Sequence, residues 1–322
     1  FGSSRVGSIS PETRRLPSRA VRSRFARPAV MVAPQFNGHA REEYPNGDNY
    51  EGQFRKGQRH GSGTYYGADG RRYEGDFQDG AMEGKGSYYY ANNEQYHGEW
   101  RNSRRHGRGK FTYSDGSSYD GVWEGDLRHG KGLMRYSDGG AYTGEWRGDR
   151  RHGQGQMTYS DYGKYDGAWA DDARHGQGTW HLPNGSIYDG QFVQGIPCGS
   201  GNLWSADEQS TYTGEFAEGL RHGDGSCVYK KTNERFEGKW KAGARLEGVM
   251  FLSDGEVERV GFLNDVLVKR EKLSMAEQAR YTGGELSAGP SQTQQMSAEF
   301  SSFEAPVPED RGPARLYAGP SF

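Results

Sequence analysis

The chain has 322 residues, of which 32% are hydrophobic, 13% aromatic and 26% charged; its mean hydropathy is -1.03 and its formal net charge -2. So few aliphatic side chains exclude a thick globular core, and so many aromatics exclude a wholly disordered chain. The near-zero charge gives no reason to expect nucleic acid as a partner.

No apolar run approaches the ~18 residues of a membrane-spanning helix. The two cysteines, Cys198 and Cys227, stand at different repeat offsets and make no disulfide framework, so a reducing, cytoplasmic setting is expected.

Residues 1–37 open the chain with Arg5, Arg14, Arg15, Arg19, Arg22, Arg24 and Arg27 against one acid, Glu12, among serines and prolines. This reads as a disordered basic arm. The alternatives are an organelle-targeting segment, which is Arg- and Ser-rich and poor in acids, or a leader ahead of Met31.

From Gly38 a repeat is visible as a half unit ending in Tyr44-Pro45-Asn46-Gly47. Tyr50-Glu51-Gly52-Gln53-Phe54 opens the first full unit, and its counterparts begin at Tyr73, Tyr96, Tyr119, Tyr142, Tyr165, Tyr188, Tyr212 and Phe236. The step is 23 residues until Tyr188 and 24 thereafter. A fixed period of this length specifies a stack of supersecondary units, here an array over residues 38–262.

The third full unit shows the grammar. Tyr96, Gly98 and Trp100 alternate with His97, Glu99 and Arg101, the period of a half-buried strand. Asn102 to His106 are expected to turn, and Gly107, Gly109, Phe111 and Tyr113 alternate along a second strand before Asp115-Gly116 turns the chain again. Each unit is therefore a β-hairpin, and consecutive hairpins pair into one elongated, single-layer antiparallel sheet; the fold class is all-β. Two strands at ~4.8 Å spacing advance the array roughly 10 Å per unit. The glycine two residues after each tyrosine leaves room for an aromatic ring to lie flat on the backbone.

Val257 to Phe262 read as a closing strand. Residues 263–282 read as a capping segment, in which Ser274-Met275-Ala276-Glu277 is a capping box opening a short helix to about Tyr281, stopped by Gly283. Residues 283–322, rich in Ser, Gln, Gly, Pro and Ala, read as a disordered tail.

Repetition also decides the chemistry. Gly125 to Lys131 matches a phosphate-binding loop up to its lysine, but Gly132 stands where Ser or Thr is required and no helix follows. The histidines His60, His106, His129, His152, His175 and His222 recur about 10 Å apart, two strand spacings, too far to share an ion at Zn–N distances of about 2.0–2.1 Å. No metal, cofactor or catalytic site is assigned, and the chain is expected to be non-enzymatic. Two contact surfaces remain. The aromatic stripe, with Trp100, Trp123, Trp146, Trp169, Tyr119 and Tyr142, suits a groove for a partner helix or a second copy of the rod. The arginines Arg59, Arg105, Arg128, Arg151, Arg174 and Arg221 form a cationic series suited to acidic phospholipid or an acidic partner strip.

Tyr-x-Gly-x-Trp followed by His-Gly-x-Gly and Asp-Gly, at a 23-residue step, resembles the MORN repeat (membrane occupation and recognition nexus). The resemblance covers residues 38–262. It implies an extended β-sheet scaffold for protein contacts, as in radial-spoke head proteins, junctophilins and protist cytoskeletal proteins, with a ciliary or cytoskeletal setting. It also implies, as alternatives, a phosphoinositide-binding module or the regulatory part of a lipid kinase. Glu83 for His, Asn92-Asn93 for Asp-Gly and Cys198 for His depart from the pattern.

Overall fold

A computed structural model describes residues 32–282. The basic arm to residue 31, the tail 283–322 and the expected stop at Gly283 lie outside the described residues. A half unit, β1 (Gly38–Glu43), is followed by nine hairpins. The first four are β2 (Asn49–Arg55) with β3 (Gln58–Tyr66), β4 (Arg72–Gln78) with β5 (Ala81–Tyr89), β6 (Gln95–Arg101) with β7 (Arg104–Thr112), and β8 (Ser118–Glu124) with β9 (Leu127–Arg135). The next three are β10 (Ala141–Arg147) with β11 (Arg150–Thr158), β12 (Lys164–Ala170) with β13 (Ala173–His181), and β14 (Ile187–Val193) with β15 (Ile196–Ser205). The last two are β16 (Ser210–Ala217) with β17 (Leu220–Tyr229) and β18 (Glu234–Lys241) with β19 (Ala244–Phe251). After them come β20 (Val257–Leu263), β21 (Val266–Lys272) and α1 (Met275–Thr282). Among the described residues every strand pairs antiparallel with its neighbours in sequence, giving one 21-stranded meander.

The turn inside each unit is shorter than the sequence suggested. Arg101 pairs with Arg104, so Asn102 and Ser103 alone make the turn, and both have positive φ (50° and 61°). Gly125-Asp126, Gly148-Asp149 and Asp171-Asp172 repeat the two-residue, doubly positive geometry, whose twist matches that of the flanking strands. The Asp-Gly pairs lie instead in the longer connections between units. There Gly116 N–H donates to Tyr113 O at 3.1 Å, and only the glycine, at φ +86°, is left-handed.

The glycines line up. Gly109 pairs with Gly121, Gly121 with Gly132, Gly132 with Gly144, and the row runs strand by strand from Gly52 to Gly248. Ala40 and Val260 end it. Each tyrosine folds back over two of these glycines. A Cβ on Gly132 would lie 2.5 Å from Cε2 and Cζ of Tyr119, and one on Gly121 would lie 2.5 Å from its hydroxyl. The steric reading of the glycine therefore holds, and it extends to a partner glycine on the neighbouring strand.

Both ends depart from expectation. Residues 32–37 belong to the fold and not to the arm. Phe36 stacks edge-on against Phe54 at 6.0 Å, Gly57 N–H donates to Phe36 O, and Val32 N–H donates to Glu42. At the other end, residues 266–272 of the expected helical cap are an edge strand. Asn264 and Asp265 make one more two-residue turn with positive φ (51° and 62°), which sends the chain back along β20. The capping box at Ser274 is present: Ser274 N–H and hydroxyl both donate to Glu277 Oε2, at 3.0 and 2.6 Å. Tyr281 of α1 packs on Leu273, Val249 and Val257.

Candidate functional site

The four tryptophans expected to line a groove sit in the core. Trp100, Trp123, Trp146 and Trp169 are 2–5% exposed, and Tyr119 and Tyr142 are fully buried. Tyr119 meets its own Trp123 edge-on at 5.1 Å and the next unit's Trp146 at 5.4 Å. Tyr142 does the same with Trp146 and Trp169 at 5.2 and 5.3 Å. Such T-shaped pairs set the negative face of one ring against the positive edge of the next, and the ladder continues to Phe236 and Phe262. Tyr119 Oη donates to Val122 O at 3.0 Å, and Trp123 Nε1 donates to Gly109 O at 3.0 Å. Burial raises the tyrosine pKa values; Arg128, nearby, opposes the rise at Tyr119. The expectation that these six residues line a partner groove is overturned. Their rings are consumed by the sheet's own packing, which a lone hairpin needs to be stable.

The arginines explain how a single-layer sheet buries indoles. Trp123 pairs with Arg128 across the two-residue turn, so both project from the same face. Arg128 then reaches into the following unit. Its backbone N–H and its Nε both donate to Asp149 Oδ1 at 3.0 Å, and its Nη2 donates to Asp149 O at 2.9 Å. Its guanidinium carbon lies 4.3 Å from the Trp146 ring centroid. Arg105 with Asp126 and Trp123, and Arg151 with Asp172 and Trp169, repeat the clasp. Each clasp ties a unit to the next by a charge-assisted bond and a cation–π contact.

The remaining members vary. Arg59 donates to Gly80 O at 2.8 Å and lies over Tyr65 and Phe77. Arg221 makes a two-pronged pair with Glu208 at 2.9 Å and stacks over Trp240. Burial is the largest influence and works against its charge, but the Glu208 hydrogen bond and negative charge, added together with smaller neighbours, leave the pKa raised. Arg174 is 7% exposed and lies 3.9 Å from the Trp180 centroid. Burial lowers its pKa. The series is therefore not a free cationic strip for phospholipid headgroups, because its guanidinium groups are spent on the rings, carbonyls and carboxylates of adjoining units. The aspartates that complete it, Asp126, Asp149 and Asp172, went unassigned from sequence. Their place as the second residue of a two-residue turn was the available signal.

The opposite face carries polar side chains in rows. Lys110 pairs with Asp120, Gln156 with Asp166 and Thr179 with Asp189, and Leu133 interrupts the row beside Asp120. A second row includes Glu99, whose carboxylate accepts the backbone N–H of Arg108 at 3.0 Å beside the left-handed Gly107.

Hairpins of one pattern, ringed together and clasped arginine to aspartate at Arg105, Arg128 and Arg151, define a tandem-repeat β-sheet module. A profile of the MORN repeat matches residues 50–71, 73–95, 96–118, 119–141, 142–164, 165–187, 188–209 and 212–233. The chain belongs to the MORN-repeat family. The hairpin of β18 and β19 continues the same packing past the matched span, with Phe236 and Trp240 in the ring positions.

No curated protein matches the chain. Among solved structures, the SAS-4 (dCPAP) TCP domain of Drosophila melanogaster, in complex with a proline-rich motif of Ana2 (dSTIL), is similar at 18% identity. That match covers 56% of this chain and 98% of that one, with a TM-score of 0.32. A single-residue variant of the TCP10 domain of Danio rerio CPAP is similar at 12% identity, over 71% and 97% of the two chains, with a TM-score of 0.23.

Proposed function

We propose that the chain is a non-enzymatic scaffold that holds partner proteins, or a second copy of itself, along the polar face of its sheet. The observation that carries this reading is the division of labour between the two faces. Rings, glycines and arginines on one face satisfy one another, so the molecule's cohesion is internal. The other face presents Lys85, Glu99, Lys110, Asp120, Lys131, Thr143, Gln156 and Asp166 at strand spacing. Catalysis needs one asymmetric pocket of unlike groups, and each station here is a copy of the last. A cytoskeletal or ciliary assembly in the cytoplasm is the setting that family membership favours.

Cross-linking mass spectrometry of the tagged full chain in its source cell tests this. Cross-links from Lys85, Lys110 and Lys131 should reach a small, constant set of proteins, and the double variant Lys110→Glu, Asp120→Lys should remove them at unchanged Tm. A chain that cross-links to no protein and co-sediments with phosphoinositide vesicles would overturn the reading in favour of a membrane module.

A further inference from the structure

We propose that Arg174 is an anchor for an acidic peptide segment of a partner, whose Asp or Glu carboxylate sits over Gly195 where neighbouring hairpins carry their own aspartate. The inference goes beyond the polar-face reading, because Arg174 pairs with Trp169 and projects from the ring face of the sheet.

The chain supplies its own controls. At Arg105, Arg128 and Arg151 the backbone N–H and Nε converge on one aspartate oxygen at 3.0–3.2 Å. Arg174 holds the same frame: its Nη2 donates to Gly195 O at 2.8 Å, and Gly195 N–H donates to Arg174 O at 2.8 Å. Residue 195 has no side chain, however, so the two converging donors find no such oxygen there. Among the described residues no carboxylate lies within ion-pair distance of Arg174. Space for one exists, because a Cβ on Gly195 would meet nothing within 4 Å and its φ of +84° resembles that of the turn aspartates.

A buried guanidinium keeps its charge, and a buried charge without a counter-charge is costly. The Trp180 ring at 3.9 Å offsets part of that cost. A second station shows what the arrangement accepts. Arg221 also faces a glycine, Gly243, and there the preceding connection brings in Glu208 as a two-pronged carboxylate. At Arg174 the corresponding connection offers Tyr159, and burial raises its pKa against the pull of Arg174. Arg59, beside Gly80, differs because it lines one depression with the buried Glu42. Arg174 is therefore the station at which a buried clasp arginine has the frame and the room for a carboxylate but draws none from its own chain.

The test uses the full chain with 15N-labelled arginine and follows the Nε–H resonances while sodium acetate is added at constant ionic strength, with inorganic phosphate as a parallel arm. Arg174 should shift saturably with acetate, and Arg128, whose Nε is occupied by Asp149, should not. Gly195→Asp should weaken acetate binding at least about tenfold and raise Tm, since it installs the aspartate its neighbours have. No saturable shift at Arg174, an equal shift at Arg128, or a preference for phosphate would each overturn the proposal. Acetate is read with no partner present, so the anchor can fail while the polar-face cross-links stand, and the cross-links can fail while the anchor stands.

Discussion

Gly132→Ala isolates the feature on which the lattice depends. The three nearest atoms to the new methyl group all belong to Tyr119, with Cε2 and Cζ at 2.5 Å, well inside van der Waals contact. The ring cannot slide away freely, because it is fully buried and wedged edge-on between Trp123 and Trp146. Displacing it weakens two T-shaped pairs of about 0.5–1.5 kcal/mol each and a hydroxyl–carbonyl bond of about 1 kcal/mol. Overpacking strain adds about 1–3 kcal/mol. The substitution should therefore cost about 3–7 kcal/mol, a large part of the stability of an ordinary domain. Gly125→Ala is the control. Its φ is +56°, but its Cβ would meet nothing within 4 Å, so only left-handed strain of about 1–2 kcal/mol applies. Urea unfolding gives the global value, and amide exchange across residues 119–135 reports the local one, since repeat arrays need not unfold in two states. A double-mutant cycle with Tyr119→Ala assigns the cause. If Gly132→Ala costs no more than Gly125→Ala, or costs the same once the ring is gone, the ring-on-glycine account is wrong.

Other consequences can be measured on the same material. Trp123→Phe should lose only about 1–2 kcal/mol, because Phe54, Phe77, Phe192 and Phe216 already fill the same position, buried, in other units; Trp123→Ala should lose about 3–5 kcal/mol by thermal or urea unfolding. Asp48 is held at about 2, below its ordinary 3.8, by the Tyr65 hydroxyl and the Ala68 N–H. A depressed carboxylate contributes stability that is full above 3.8 and lost as pH falls towards about 2. Asp48→Asn should therefore be less stable than the parent at neutral pH and converge with it at the acid end; a gap that stays constant with pH would refute this. Cys227 is fully buried, Cys198 is half-buried, and burial raises both thiol pKa values. An aromatic disulfide reagent should label Cys198 slowly in the folded chain and Cys227 only on unfolding.

The strand period, the hairpin unit, the glycine packing and the Ser274 capping box were all legible, because each is a local rule repeated or spelled out in consecutive residues. The face of the arginines was not, and the reason is a count across a turn. With Asn102 to His106 taken as the turn, Arg105 belongs to a loop and has no side of the sheet. With the turn confined to Asn102-Ser103, Arg105 stands opposite Trp100 and must share its face. The doubly positive φ of that pair is hard to read from Asn-Ser, but it is written plainly as Gly125-Asp126 and Asp171-Asp172 in later units. The same signal, Asn264-Asp265, announced β21 and was hidden because no ring motif follows it.

Once the arginines are placed with the rings, the meaning of departures from the repeat changes. A substitution on the polar face alters one exposed side chain, whereas Gly195 for aspartate leaves a buried cation at Arg174 without the counter-charge its neighbours enjoy. Gly243 does the same for Arg221, and there the chain inserts Glu208 to restore the balance. In a ladder whose regular rungs are closed among themselves, the rung left open is where specificity for a partner can enter.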